Sequence, residues 1–201
     1  MLLCNLWLNS PLFLFTAITM KTITVLCIGD SHTAGFPDYD PFMGGDPESS
    51  YQFWLTKALM NANSALTYNL INEGMCGDTS RGIVQRLLHS LRKQSYDLVI
   101  LAGGTNDLGL NNSDQVFSHL KQGYEACMNQ SIPVIALNYA IQSYASQNHH
   151  ILFADWYNAL KDDRGFLANK YNTGDGIHLS AAGYKCIGEL LAPLVKRSIN
   201  I

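Results

Sequence analysis

The runs of apolar and β-branched residues that end at glycine constrain this chain most. Ile23-Thr24-Val25-Leu26-Cys27-Ile28 leads straight into Gly29, and Leu98-Val99-Ile100-Leu101 stops just short of Gly103-Gly104. A short unbroken apolar run has no polar face to give to water, so it belongs to a strand covered on both sides. Between these runs, apolar residues recur every three or four positions. Ile83, Val84, Leu87, Leu88 and Leu91 make one helical stripe, and Val116, Phe117, Leu120 and Tyr124 make another. Strands that alternate with helices imply βαβ units and a parallel sheet.

Further strands are expected at residues 66–71, 132–137 and 151–153. Helices are expected at 50–61, from 79 onward, at 113–129, at 156–160 and at 180–197. Pro193 should kink or shorten the last turn of the final helix. Residues 38–50 hold Pro41, Gly44, Gly45 and Pro47 and read as loop. The expected fold is a three-layer α/β/α sandwich around a mostly parallel five-stranded sheet, of the flavodoxin-like kind. Ligands bind such sheets outside the carboxyl ends of the strands. Ser31 follows the first strand, Gly77 lies after the second and Asn106 follows the third, so the three converge on one edge.

A chain of 201 residues suits one domain with a sizeable core. A formal net charge of -3 offers no basic patch for nucleic acid and little attraction to a membrane surface. The five cysteines, Cys4, Cys27, Cys76, Cys127 and Cys186, never stand at a Cys-x-x-Cys spacing. They read as free thiols in a reducing compartment, with no zinc site. Carboxylates and histidines lack ligand spacing as well, so no metal or other cofactor is expected.

Residues 1–19 are apolar, carry no Lys or Arg, and are interrupted by Asn5, Asn9, Ser10 and Pro11. The basic start of a signal peptide is missing, and the stretch is marginal for a membrane span. The preferred reading makes Met20 the natural start, residues 1–19 an upstream extension and residues 20–201 the folded domain. On that reading the protein is cytoplasmic, and a chain beginning at Met20 folds and acts like the whole. A poor signal peptide or anchor is the alternative, with secretion or a periplasmic location as its consequence.

Two short motifs carry the chemistry. Gly29-Asp30-Ser31 places a hydroxyl at a sharp strand exit, where a helix N-terminus favours developing negative charge. Asp175-Gly176-Ile177-His178 places a carboxylate three residues before an imidazole, in a loop that precedes a helix. Hydroxyl, imidazole and carboxylate are the three groups that make serine a nucleophile at neutral pH. Taken singly, Ser31 reads as a helix cap, Asp175 as a turn residue and His178 as a surface histidine. Their joint occurrence favours the catalytic reading. Asn106 in Gly104-Thr105-Asn106-Asp107 and the backbone N–H of Gly77 are suited to hold an oxyanion, although each also reads as an ordinary turn residue.

Four blocks stand in order: Gly29-Asp30-Ser31, Gly77-Asp78-Thr79-Ser80, Gly104-Thr105-Asn106-Asp107 and Asp175-Gly176-Ile177-His178. In them the chain resembles the GDSL-type, or SGNH, hydrolases, a family of small esterases, lipases, thioesterases and carbohydrate deacetylases. The resemblance spans roughly residues 21–195. Residues 72–87 and 175–184 look most like the thioesterase and lysophospholipase branch. The resemblance implies Ser31 as nucleophile, His178 as general base and then acid, and Asp175 as its orienter. It also implies an oxyanion hole from the Ser31 and Gly77 backbone N–H groups and the Asn106 amide. The expected activity is cleavage of a small-molecule ester or thioester through an acyl-enzyme. Carbohydrate O-deacetylation or acyl transfer on the same residues is the alternative. A non-catalytic binding module is disfavoured because every catalytic position is present.

One position departs from the family pattern. His32 stands where leucine or another apolar residue is common. It is expected to point away along the new helix, against the sharper possibility that it touches the leaving-group side of the site. Asp30 and Asp107 read as loop hydrogen-bonding residues. His89, His119, His149 and His150 read as helix-face or loop residues. Phe36, Tyr39, Phe42 and Met43 in one loop, and Tyr139, Ile141 and Tyr144 in another, read equally as acyl walls and as ordinary loop packing. No long insertion reads as a lid, which favours short or soluble acyl substrates.

Overall fold

The computed structural model describes residues 21–60, 66–107, 109–137 and 141–199. The expectations for residues 1–19, Cys4 and Tyr139 lie outside these described residues. Five strands build the central sheet: β1 (Lys21–Gly29), β4 (Leu66–Gly74), β5 (Leu98–Leu101), β6 (Val134–Ala136) and β7 (Ile151–Phe153). Their order is β4-β1-β5-β6-β7 and every pairing is parallel. Two residues each of β2 (Tyr39–Asp40) and β3 (Gly44–Gly45) form a small antiparallel hairpin inside the stretch expected to be loop.

Because successive side chains of a strand face opposite ways, the apolar strands feed two cores. Val25, Cys27, Leu98, Ile100 and Ile135 pack on one face, against α2 (Tyr51–Met60) and α7 (Ala181–Ser198). Leu26, Ile28, Val99, Leu101 and Val134 pack on the other, against α3 (Ser80–Lys93) and α4 (Ser113–Asn129). The stripe Ile83, Val84, Leu87 and Leu91 supplies the buried side of α3. Three layers result, as expected.

The short elements carry the function-bearing loops. α1 (Ser31–Ala34) is a single turn directly after β1, α5 (Gln142–Ser146) precedes β7, and α6 (Trp156–Leu160) follows it. One strand is shorter than expected: β6 is three residues long rather than six, beginning after Pro133, whose missing N–H keeps it at the strand entry. α7 runs to Ser198, close to its expected end, with Pro193 inside the helix rather than shortening its last turn. The described cysteines, Cys27, Cys76, Cys127 and Cys186, are free. Burial pushes the thiols of Cys27 and Cys127 up to about 12, which suits inert packing residues. Among the described residues no helix is long and apolar enough to cross a membrane, and no cluster of His, Cys, Asp and Glu is arranged to hold a metal ion.

Candidate active site

β1 and β5 are adjacent parallel strands whose following connections diverge, so a crevice opens at their carboxyl ends. Asp30 follows β1 and caps α1, its side chain accepting from His32 N at 3.1 Å. This turn sets Ser31 at the first helical position, largely buried. β4 approaches from the side, and Gly74 lies so close to the backbone of Thr33 and Ala34 that a Cβ there has no room.

The loop before α7 is organised by its own side chains. Asn172 Oδ1 accepts from Gly174 N at 2.8 Å and from Gly176 N at 3.0 Å. Asp175 Oδ1 accepts from Ile177 N at 2.9 Å and from His178 N at 2.8 Å. The free oxygen, Oδ2, meets His178 Nδ1 at 2.6 Å. Nδ1–H therefore donates to Asp175, and Nε2 is left as an acceptor. Ser31 Oγ stands 3.1 Å from that Nε2. The backbone and ring N–H groups of His178, then the N–H of Ile177, hold the Asp175 carboxyl well below the usual carboxylate range. In this order of contacts a hydroxyl proton can pass to an imidazole whose tautomer is fixed from behind.

The other two blocks meet across one hydrogen bond. Asn106, in a 3-10 turn after β5, donates from Nδ2 to the Asp78 carbonyl at 2.9 Å. The amide keeps a second N–H to present elsewhere. Gly77, next to Asp78, has φ 78°, a left-handed conformation that glycine adopts without a steric penalty. Asp107 is fully buried and accepts from Ser80 N at 2.7 Å, Ser80 Oγ at 2.8 Å and Asn111 Nδ2 at 2.9 Å. Since Ser80 donates its proton to Asp107, it accepts from His119 Nδ1–H at 3.0 Å. Asp30 and Asp107 are thus the loop hydrogen-bonding residues expected of them.

Two features escape a reading of motifs. Arg86 on α3 donates to Asp78 Oδ2 at 2.8 Å, the Glu73 carbonyl at 2.6 Å and the Gly29 carbonyl at 2.9 Å. One guanidinium therefore ties together the ends of β1 and β4 and the Gly77 loop, and only the folded chain brings those partners together. His32 is the second. Its ring does not point away along α1 but turns back onto the loop before α7. Nε2 lies 2.9 Å from the Ile177 carbonyl and Nδ1 3.3 Å from Asp30 Oδ1. Trp156 meets it edge-on at 5.3 Å, and the His178 ring stacks at 5.7 Å. Burial pushes its pKa down, but the Asp30 carboxylate and the Ile177 carbonyl outweigh burial, and the net shift is upward.

The candidate wall residues divide between the two readings. A cavity of about 600 Å³ opens between Asp30, His32, Gly104 and Ile177, with Leu137, Trp156, Leu160, Leu167 and Leu179 among its walls. Phe42 and Met43 are instead exposed at the hairpin tip, and Ile141 is buried in the α3–α4 core. Tyr144 packs on Phe117. Of the candidate wall residues, Phe36 reaches the site, its ring centroid 4.6 Å from that of His178.

The sequence pattern of the GDSL-like lipase/acylhydrolase family matches residues 27–186, a span that holds all four blocks. The chain belongs to this family. Structures with the family's fold superpose closely. A member of the lipolytic protein G-D-S-L family from Veillonella parvula DSM 2008 matches with a TM-score of 0.69 at 18% identity, over 87% of this chain and 99% of that one. A carbohydrate acetylesterase family member from Sinorhizobium meliloti gives 0.66 at 18%, over 89% and 100%. A family 3 carbohydrate esterase from Clostridium thermocellum gives 0.66 at 22%, over 88% and 98%. No curated protein sequence matches significantly. Family membership makes this chain a hydrolase of the GDSL type.

Proposed function

We infer that the protein hydrolyses carboxylic esters or thioesters through an acyl-enzyme on Ser31. The observation that carries this reading is the series Ser31 Oγ, His178 Nε2 at 3.1 Å, and His178 Nδ1 to Asp175 Oδ2 at 2.6 Å. Ser31 Oγ attacks the acyl carbonyl while Nε2 takes its proton, and Asp175 stabilises the imidazolium that forms. The oxygen of the tetrahedral intermediate is received by the Ser31 and Gly77 N–H groups and the second N–H of Asn106. His178 then gives its proton to the departing alcohol or thiol. Water, activated by the same imidazole, releases the acid.

The apolar cavity supports an acyl group longer than acetyl. At about 600 Å³ it falls within the range of sites that enclose a whole small ligand. Carbohydrate deacetylation is the second reading, favoured by the carbohydrate esterases among the fold's neighbours. The test is hydrolysis of p-nitrophenyl acetate, butyrate, octanoate and palmitate by the wild-type protein beside Ser31→Ala. The expected result is turnover by wild type, fastest at butyrate or octanoate, and none by Ser31→Ala. A preference for acetate, extended to an acetylated sugar, would favour the second reading. Equal rates from both proteins would refute Ser31 as the nucleophile.

A further inference from the structure

The His32 ring is a second link, beside the Ser31–His178 contact, between the turn at α1 and the loop before α7. One nitrogen faces the carboxylate that caps the nucleophile's helix, and the other faces the carbonyl of the residue before His178. A carboxylate and a carbonyl are both acceptors, and a neutral imidazole has only one proton to donate. Both contacts are made together only when both ring nitrogens carry hydrogen. The surroundings favour that form. Asp30 is almost fully buried, its Oδ1 lies 3.3 Å from the ring, and its Oδ2 has no hydrogen-bond partner among the described residues, so a charge on the ring would balance a buried carboxylate. From the loop before α7 the ring is faced by Asp175 and His178. From α6 it is faced by the neutral Trp156, with Tyr157 and Lys161 on the same cavity.

We propose that His32 is a positioning residue: as an imidazolium held between Asp30 and the Ile177 carbonyl, it clamps the loop bearing Asp175 and His178 onto the helix bearing Ser31. The clamp rests on the triad reading above, because its consequence for rate runs through the Ser31–His178 contact. Loss of a ring proton at alkaline pH leaves one donor for two acceptors; the buried carboxylate of Asp30 keeps it, the Ile177 carbonyl loses its partner, and the His178 loop is free to drift from Ser31. Rate is sensitive to such drift, since a misplacement of about 1 Å can cost about a hundredfold.

The experiment combines a direct reading of the ring with two variants. Nitrogen-15 NMR of wild-type protein near pH 7 should find both His32 ring nitrogens protonated, a result that does not depend on activity. Among variants, His32→Leu removes both contacts. His32→Gln keeps an N–H donor for the Ile177 carbonyl but cannot titrate. Leu is expected to lower kcat about tenfold or more with little change in KM, as a lost alignment does. Gln should recover most of that kcat and lack the alkaline fall of the wild-type profile. A neutral His32 ring, or a Leu variant with wild-type kcat and pH profile, would sink the clamp. Inactivity of wild type itself would instead count against the triad reading, and the NMR result would still decide the clamp.

Discussion

At the scale of single residues, the site divides between groups that meet the reacting atoms and groups that hold those groups in place. Asp175 serves both ends of one loop: Oδ1 shapes the backbone through Ile177 N and His178 N, while Oδ2 fixes the imidazole. Asp175→Asn can offer an N–H where the ring needs an acceptor, so the wrong tautomer of His178 is favoured. We expect kcat to fall on the order of a thousandfold or more, with thermal stability changed far less. Steady-state kinetics beside a melting curve separates the two effects. Asn106→Ala removes the proposed oxyanion donor and the tie to the Asp78 carbonyl, and should cost about a hundredfold in kcat, or ~3 kcal/mol. A variant with an unchanged kcat would remove Asn106 from the oxyanion hole. Cys76 is exposed beside Gly77, yet partial burial and the charges of Asp40 and Asp30 raise its pKa. Its thiol stays protonated near neutrality and should alkylate slowly.

At the scale of elements, β4 and α1 meet without a spacer. Gly74 touches backbone rather than a side chain of α1, so no rotamer change can admit a larger residue. Gly74→Ala must push α1 and Ser31 away from β4, at a cost of about 1–3 kcal/mol in stability, with a matching loss of kcat. Denaturant unfolding and ester hydrolysis would check it together, and an Ala variant of wild-type stability would contradict the close approach. The elements themselves were largely legible in the sequence because their signals are local. α4 and β5 start and stop where capping residues, apolar periodicity and glycines say they should. The expected order of Ser31, Gly77 and Asn106 along one edge follows from the strand sequence alone. The partners of Arg86 and His32 were not legible in full, because both reach main-chain carbonyls far away in sequence, Gly29 for Arg86 and Ile177 for His32. A carbonyl has no residue type to announce it. The acyl walls stayed undecided for a related reason: apolar loop residues such as Phe42 and Ile141 look alike in sequence, and only the fold sends one to solvent and the other to the core.

At the scale of the whole molecule, β1 through α1 and the loop before α7 lie at opposite ends of the chain, and their union is electrostatic as well as apolar. The folded-state pKa of His32 is raised above its ordinary 6.5. Folding therefore binds a proton there, and the resulting stability is fully present below about pH 6.5. It is lost as pH rises through the raised value. Asp175 works in the opposite sense. Its pKa is depressed from 3.8, so its contribution is present above that pH and lost only as pH falls through the depressed value. Its side chain is exposed to solvent, which screens the contribution. Between these limits both groups favour the closed arrangement, and the alkaline side is where His32 alone lets go. Melting temperatures of wild type and His32→Gln, measured from about pH 6 to pH 9, should therefore differ most at the acid end and converge toward the alkaline end. A difference that stays constant across that range would mean that His32 contributes packing without a charge, and the two ends of the chain would then be joined by packing and by hydrogen bonds such as Ser31–His178.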